Sequence, residues 1–492
     1  MDPRYTNPDI AKIFSTENKL QLWQKTELAV IQAREQLGRI DKGIYETIKE
    51  KWEAHPIDIE WWEQRDKEIH HDLNAFVDER LRHIKSSLHQ YVHDGITSYD
   101  TEEPAFVRML DEAFLIIRPM CEEFYQILEE KAIKYRYTIM MARTHGQFAE
   151  LQSFGSRCLN WLNDFRQAYD GLVNSSDVLI YSKISGAIGK YTSIDPSLEE
   201  LALANLGLEQ FYNATQIMPR IMYAPFAQAL ANMVIMIDKI ANDIRLTSRS
   251  GLPLTQEPFG KKQKGSSAMP QKKNPIRTEQ LGGMARMAKG YMNMITDNIK
   301  TDEERAIEQS CVERVAWPDL FHVVVRSLQV ISDVISGLQV YPDNMIQEIH
   351  ESRGTYASSV AKEFLKKKLS EKLKHEDVYR IVQLASFNVF ELDSERFEIR
   401  ATVAGSFQVV ERLMTSFSQL PSVKVVSIKD FIPEARLRVS SELGITGEQV
   451  NQYNECLKSL FTDIDVLTEW KELFNPVFLL RNEKFIYENT IA

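Results

Sequence analysis

Apolar side chains recur through the middle of the chain at alternating steps of four and three. Phe106, Leu110, Ala113, Ile117, Met120, Phe124 and Ile127 form one series. Phe226, Leu230, Met233, Ile237, Ile240 and Ile244 form a second, and Val324, Leu328, Ile331, Ile335 and Leu338 a third. A mean step of about 3.5 residues keeps one stripe facing a neighbour along a left-handed supercoil. Helices this long bury such stripes only against partners of similar length, so the pattern predicts a bundle of long, nearly antiparallel helices with these residues in its core. Pro119 falls inside the first stripe and predicts a kink there.

Breakers divide this pattern. Asp94-Gly95-Ile96-Thr97-Ser98 closes a helical N-terminal region, and Ser185-Gly186-Ala187-Ile188-Gly189 interrupts the middle. The stretch from Gly251-Leu252-Pro253 through Pro275 is the longest without periodicity. A loop of that length inside a helical bundle is uncommon and usually functional. Near residue 350 the heptads give way to shorter amphipathic segments. The expectation is an all-α fold with an N-terminal helical domain (1–95), a central long-helix bundle (96–350) carrying the loop 257–275, and a C-terminal helical domain (351–492). In the tail after about residue 420, Val423-Lys424-Val425-Val426 has strand character and the rest is unassigned.

Composition narrows the function. Glycine (20) and proline (17) are scarce for 492 residues, which favours long helices over turn-rich architecture. Hydrophobic residues at 43% and charged residues at 26% describe a soluble globular chain. The excess of 70 acids over 59 bases, net charge -11, speaks against coating nucleic acid or an anionic membrane, so neither partner is expected. No uninterrupted apolar run approaches the ~18 residues of a membrane span. The start, Met1-Asp2-Pro3-Arg4-Tyr5, lacks a basic stretch followed by an apolar one. Cys121, Cys158, Cys311 and Cys456 lie far apart without metal-ligand spacing and read as reduced thiols of a cytoplasmic protein.

Several familiar constellations are missing: GxGxxG, a Walker-type phosphate loop, GxSxG and HExxH. Gly186-x-x-Gly189-Lys190 has the wrong spacing for a phosphate loop and reads as a turn. His70-His71-Asp72 and the His89/His93 pair have no further ligand cluster nearby, so no metal is expected. Lys261, Lys262, Lys264, Lys272 and Lys273 concentrate positive charge in an acidic chain. Their segment, rich in glycine, serine and proline, is either a solvated loop or one that binds an anion.

Gly265-Ser266-Ser267-Ala268-Met269-Pro270-Gln271-Lys272-Lys273-Asn274-Pro275 resembles the signature GSSxMPxKxNP of the fumarase/aspartase superfamily. That resemblance implies an all-α fold, a homotetramer built on a central long-helix bundle, and β-elimination across a C–N or C–O bond with release of fumarate. One branch, the carboxymuconate cycloisomerases, runs a related ring closure.

Within the superfamily, several segments resemble the adenylosuccinate lyase family. They are Arg4-Tyr5 with Pro8; His71-Asp72 with Ala75-Phe76; His93-x-Gly95-x-Thr97-Ser98-x-Asp100; and Tyr137-Thr138 through Met141 with Arg143-Thr144-His145-Gly146. Lys183-Ile184-Ser185-Gly186-Ala187, Thr215-Gln216 with Arg220, and Glu304-Arg305 with Ser310 and Arg314 continue the series in order over about two-thirds of the chain.

The resemblance implies a general base at Ser266 and a general acid at His145, with His71 orienting substrate. Lys272, Asn274 and nearby backbone N–H groups would stabilise the dianionic carboxylate that builds when a proton leaves the carbon beside it. It further implies substrate contacts from Arg4, Tyr5, His93, Thr97, Ser98, Asp100, Thr144, Gln216, Ser267 and Met269, and phosphate contacts from Arg305, Ser310 and Arg314. Active sites would be shared between subunits, with a small-molecule nucleotide as substrate and no metal or redox cofactor. The implied reaction splits adenylosuccinate into AMP and fumarate, with the succinylated aminoimidazole carboxamide ribotide as a second substrate. The alternatives are another superfamily lyase, acting on argininosuccinate or carboxymuconate, and a catalytically silent structural protein on the same scaffold.

The chain departs from the family pattern in three places. Leu151-Gln152-Ser153 replaces the usual proline–threonine–threonine, Glu103-Pro104 replaces an aspartate–threonine pair, and residues 302–311 carry extra carboxylates where an aromatic is usual.

Overall fold

The computed structural model describes residues 1–390, 401–402, 424–425 and 443–491. Among them, long helices follow the predicted stripes: Ser98–Lys134, Ala224–Thr247 and Glu308–Ser336, joined by Thr16–Gln36, Phe154–Ser175 and Ile276–Asp297. Side-chain caps start the helices where the sequence supplies them. Ser15 accepts from the Asn18 N–H ahead of Thr16–Gln36. Thr97 and Asp100 cap reciprocally: the Thr97 N–H donates to Asp100 Oδ2 at 2.9 Å and the Asp100 N–H to the Thr97 carbonyl at 2.8 Å. The Ser98–Lys134 helix runs unbroken through Pro104 and Pro119.

By internal contacts the chain forms two compact units, neither contiguous. One comprises Met1–Tyr125, Asp164–Asp243 and Ile276–Ser336; the other comprises Gln126–Asn163, Ile244–Pro275 and Gly337–Ala492. Three of the breaks between them fall within long helices: Ser98–Lys134, Phe154–Ser175 and Ala224–Thr247.

In the first unit the heptad residues form the core. Phe226, Leu230, Met233, Ile237 and Ile240 are fully buried, as are Val324, Leu328, Ile331 and Ile335. Phe226 sits at the centre, edge-on to Phe114 (5.9 Å) and stacked on Trp317 (6.1 Å). On the Ser98–Lys134 helix, Leu110, Ala113, Ile117 and Phe124 of the predicted stripe are buried while Phe106, Met120 and Ile127 are half-buried, and Val107, Phe114 and Cys121 are buried as well. The helix thus shows a wider apolar face than one supercoil seam, as a bundle interior requires. Each such side chain contributes roughly 1.5–3 kcal/mol by leaving water. The segment Arg220–Thr247 is long and apolar enough to cross a membrane by composition, with mean hydropathy 1.3. Its apolar face instead meets Phe114, Trp317 and Phe321 as core.

The second unit departs from pure helix. Ile139–Thr144 and Gln147–Ser153 form an antiparallel hairpin pairing Ile139 with Ser153 and Thr144 with Gln147. Ile139, Met141 and Leu151 pack on Ile346, Tyr356 and Ala357. A separate cluster unites Leu365, Leu369, Val378 and Ile381 with Leu457, Phe461 and Trp470. Lys424–Val425 is indeed extended and pairs with Ala401–Thr402; Val423 and Val426 lie outside the described residues.

Just beyond the hairpin, Gly155 opens its helix in close contact with backbone. A Cβ there would lie 2.5 Å from the Ala132 carbonyl oxygen and 2.7 Å from the Arg136 Cα, beside the Tyr487 hydroxyl that donates to that same carbonyl. Gly155→Ala is therefore expected to lower stability by about 1–3 kcal/mol or more, because backbone must shift. Thermal unfolding checks this; a variant as stable as the native chain would show that this packing is loose.

Candidate active site

The Gly265–Pro275 loop is bolted to itself. Asn274 Nδ2 donates to the Gly265 carbonyl at 2.8 Å, and the Lys272 N–H to the Met269 carbonyl at 3.0 Å. Gly265 is needed where it stands, since a Cβ would collide with the Lys272 carbonyl. Ser266 is half-buried at this neck, and its Oγ accepts from the Met269 N–H at 3.1 Å. A backbone donor aimed at a hydroxyl oxygen favours its deprotonated form. Ser267, Met269 and Lys272 are exposed. Lys273 lies over the Phe259 ring at 5.6 Å.

His145 and Gly146 are the two residues of the hairpin turn, with φ of 53° and 77°. Positive φ at both positions is the geometry that matches strand twist in a two-residue turn, and glycine meets it freely. A histidine in that conformation costs about 1–2 kcal/mol. Arg143 braces the turn: it donates to the Gly146 carbonyl at 3.3 Å, pairs with Glu348, and covers the Phe148 ring at 4.4 Å. His145 and Thr144 are consequently held on an exposed tip.

The other predicted residues belong to the first unit. A cavity of about 260 Å³ there is walled by Phe14, Trp23, Tyr99 and Phe106 and floored by charged groups. Arg220, fully buried, donates to both oxygens of Glu103 at 2.8 and 2.9 Å and to both of Glu313 at 2.7 and 3.0 Å. Tyr223 adds a hydroxyl donor to Glu103 at 2.9 Å. Burial opposes the Arg220 charge, but the two carboxylates outweigh it and hold its pKa above the ordinary value. For Glu313, burial wins over Arg220 and the pKa is raised. Glu103, a departure from the family pattern, is thus a structural ligand of a buried guanidinium.

Arg314 and Ser310 also line this cavity. Arg314 donates to Asp72 at 2.6 Å and approaches Glu102 at 3.9 Å. Lys19, 4.0 Å from Asp72, lies over the rings of Trp23 and Trp62 at 4.7 and 5.1 Å; burial, only partly offset by Asp72, lowers its pKa. Arg305 lies over Tyr99 at 4.3 Å and donates to Gln216 Oε1 at 2.7 Å, while Gln216 donates to the Ala187 carbonyl. Arg305 and Gln216 are therefore brought together.

Asp100 is fully buried. It pairs with Lys183 at 2.6 Å and accepts from the Gly186 N–H, while Lys183 donates to the carbonyls of Gly186 and Gln216. With its oxygens so engaged, Asp100 positions the Thr97 turn and the Gly186 loop. His93, at φ 54°, places Nδ1 2.8 Å from Glu27, which also receives the His93 N–H and the Thr101 hydroxyl. Burial opposes the imidazolium, but the Glu27 carboxylate outweighs it and raises the His93 pKa. His71 is an exposed helix cap whose Nδ1 accepts from the Asn74 N–H at 3.3 Å, leaving the proton on Nε2. Arg4 is exposed and Tyr5 half-buried in a short turn capped by Asp2, with Ser98 half-buried at the start of its helix.

Glu27, Lys19, Tyr99, Glu102 and Glu313 are not among the residues expected from the motifs. Glu102 and Glu103 were detectable in principle as adjacent carboxylates entering an apolar helical stripe. Glu27 and Lys19 carried no local signal, since their partners are distant in the chain.

A lyase family profile matches residues 5–290. The chain is 34% identical to an adenylosuccinate lyase of Synechocystis sp. over 81% of its own length and 91% of that protein. It is 32% identical to an adenylosuccinate lyase of Bacillus subtilis over 84% and 94%. Among solved structures, a fumarate lyase from Mesorhizobium sp. BNC1 superposes with a TM-score of 0.72 at 22% identity, covering 92% of this chain and 98% of that one. A β-carboxy-cis,cis-muconate cycloisomerase from Acinetobacter calcoaceticus gives 0.69 at 19% over 92% and 98%. These two show the fold alone. On the family match and on these identities over most of both chains, the chain belongs to the adenylosuccinate lyase family of the fumarase/aspartase superfamily, a family of C–N lyases.

Proposed function

We propose that this chain is an adenylosuccinate lyase that releases fumarate from adenylosuccinate to leave AMP, and acts likewise on the succinylated aminoimidazole carboxamide ribotide. The observation that carries this reading is the similarity to adenylosuccinate lyases over most of both chains, with Ser266 and His145 in place.

Ser266 takes the proton from the succinyl carbon beside a carboxylate. The released electron pair becomes the fumarate double bond as the C–N bond breaks, and the pair left on nitrogen takes a proton from His145. A carbon acid this weak needs its developing dianion stabilised. Lys272, Asn274 and the loop N–H groups supply that potential, and the Met269 N–H on Ser266 Oγ helps it act as a base. His71, with its proton on Nε2, is suited to donate to a substrate oxygen. Arg4, Arg305, Ser310 and Arg314 are assigned to the phosphate end. An acid on an exposed hairpin tip is not shielded from water by its own strands, which supports a homotetramer whose sites are completed by neighbouring subunits. The division into an N-terminal domain, central bundle and C-terminal domain belongs to the same proposal.

Fumarate release from adenylosuccinate tests the reading. Ser266→Ala and His145→Ala are each expected to lower kcat by about 10²–10⁴-fold with a much smaller change in KM. Turnover by both variants at the native rate would remove these assignments. A native protein inert on adenylosuccinate but active on argininosuccinate or carboxymuconate would overturn the substrate.

His93 gives a pH test. Its raised pKa means that the Glu27 pair stabilises the fold fully below the ordinary histidine value, and that this contribution fades as pH rises through the shifted one. In Glu27→Gln only Asp100 is left to oppose the burial penalty, so histidine NMR should show the His93 titration move to lower pH. An unmoved titration would show that Glu27 does not set its charge.

A further inference from the structure

The cavity of the first unit holds a carboxyl group that the elimination does not use. Glu102 lines it with a side chain only 15% exposed. The groups facing it are Asp72 from the Asp72–Leu81 helix, Arg314 from Glu308–Ser336, Arg305 from the loop before that helix, and Lys19 from Thr16–Gln36, with Tyr99 on its own helix. Among the described residues none donates a hydrogen bond to it: Arg314, at 3.9 Å, is beyond hydrogen-bond range and is engaged by Asp72 at 2.6 Å. Glu103 and Glu313, the other glutamates of the cavity, are both held by Arg220. Burial and then the repulsion of Asp72 push the Glu102 carboxyl up to about 7, against the pull of Arg314, Arg305 and Lys19.

The cations of this cavity are already balanced. Lys19, Arg220, Arg305 and Arg314 stand against Asp72, Glu102, Glu103 and Glu313. A phosphate arriving at Arg314 and Ser310 would add charge beside a carboxylate that receives no hydrogen bond and meets Arg314 only at 3.9 Å. Once protonated, the same group becomes a hydrogen-bond donor to a phosphate oxygen.

We infer that Glu102 is the selectivity residue of this cavity: a phosphate monoester docks against Arg314 as Glu102 takes a proton from solvent, turning from a repelling charge into a donor. This rests on the nucleotide reading above. It adds a specificity residue at a position outside the family motifs, and a linkage between substrate affinity and pH.

AMP binding measured by calorimetry at pH 6 and pH 8, on the native protein and Glu102→Gln, tests it. Glutamine is neutral throughout, so the ratio of the two affinities cancels every other titrating group, the phosphate included. Native and variant should bind comparably at pH 6, and the native protein roughly tenfold more weakly at pH 8. In buffers of different ionisation enthalpy at pH 8, the native protein should take up most of one proton more than the variant. Proton uptake by the native protein that is flat from pH 6 to pH 8, or a pH-independent affinity ratio, would overturn the role of Glu102 while leaving the nucleotide site standing. Failure of AMP to bind either protein at any pH would overturn the nucleotide reading and the inference with it.

Discussion

A guanidinium with almost no contact with water fixes the register of the long helices. Arg220 precedes the Ala224–Thr247 helix, and its two partners stand on two others, Glu103 on Ser98–Lys134 and Glu313 on Glu308–Ser336. Apolar stripes are tolerant of sliding by a heptad, whereas a buried charge is not. Moving any one helix by a turn would strand an ion at a cost of several kcal/mol. The nearby Asp100–Lys183 pair acts in the same way on the Gly186 loop. Hydrophobic burial supplies most of the stability of this unit, and the ion cluster selects which bundle is built.

The cavity inherits its geometry from that selection. Tyr99 and Phe106 of the Ser98–Lys134 helix line it with Phe14 and Trp23 from the N-terminal segment, and Arg220, Glu103 and Glu313 line it as well. Arg305 and Gln216 meet because the Gln216 strand of loop is pinned through Lys183 and Ala187. In the second unit the constraint is backbone rather than charge. A two-residue turn at positive φ presents His145, and a loop tied by Asn274 presents Ser266. Each chemical group is thus set by a local motif, and each binding group by a distant pairing.

That distinction explains what was legible in the sequence. Heptad spacing identified the core of the long helices because every residue of a stripe faces the same way, and Phe226 and Leu328 are buried as expected. The signature loop was legible because it is contiguous. The hairpin was not: Ile139-Met140-Met141 is a short apolar run that periodicity cannot distinguish from helix, and its burial comes from Ile346 and Tyr356, two hundred residues away. Asp100 resembled a substrate contact by motif, yet its partners lie in a loop that only the folded chain brings near. Charges such as Glu27, Glu103 and Arg220 look like solvated residues until their partners are known. The departure at Glu103-Pro104 proves to be part of the framework.

Whether the buried ion cluster sets the helix register is decided by thermal unfolding of Arg220→Met, alone and combined with Glu103→Gln and Glu313→Gln. Removing the guanidinium alone leaves two buried carboxylates unpaired, and a loss of about 3–5 kcal/mol is expected. Neutralising both acids as well should recover much of that loss, so that the triple variant is more stable than the single one. A single variant close to the native midpoint, or a triple variant that loses the sum of its parts, would show that the helices take their register without the cluster.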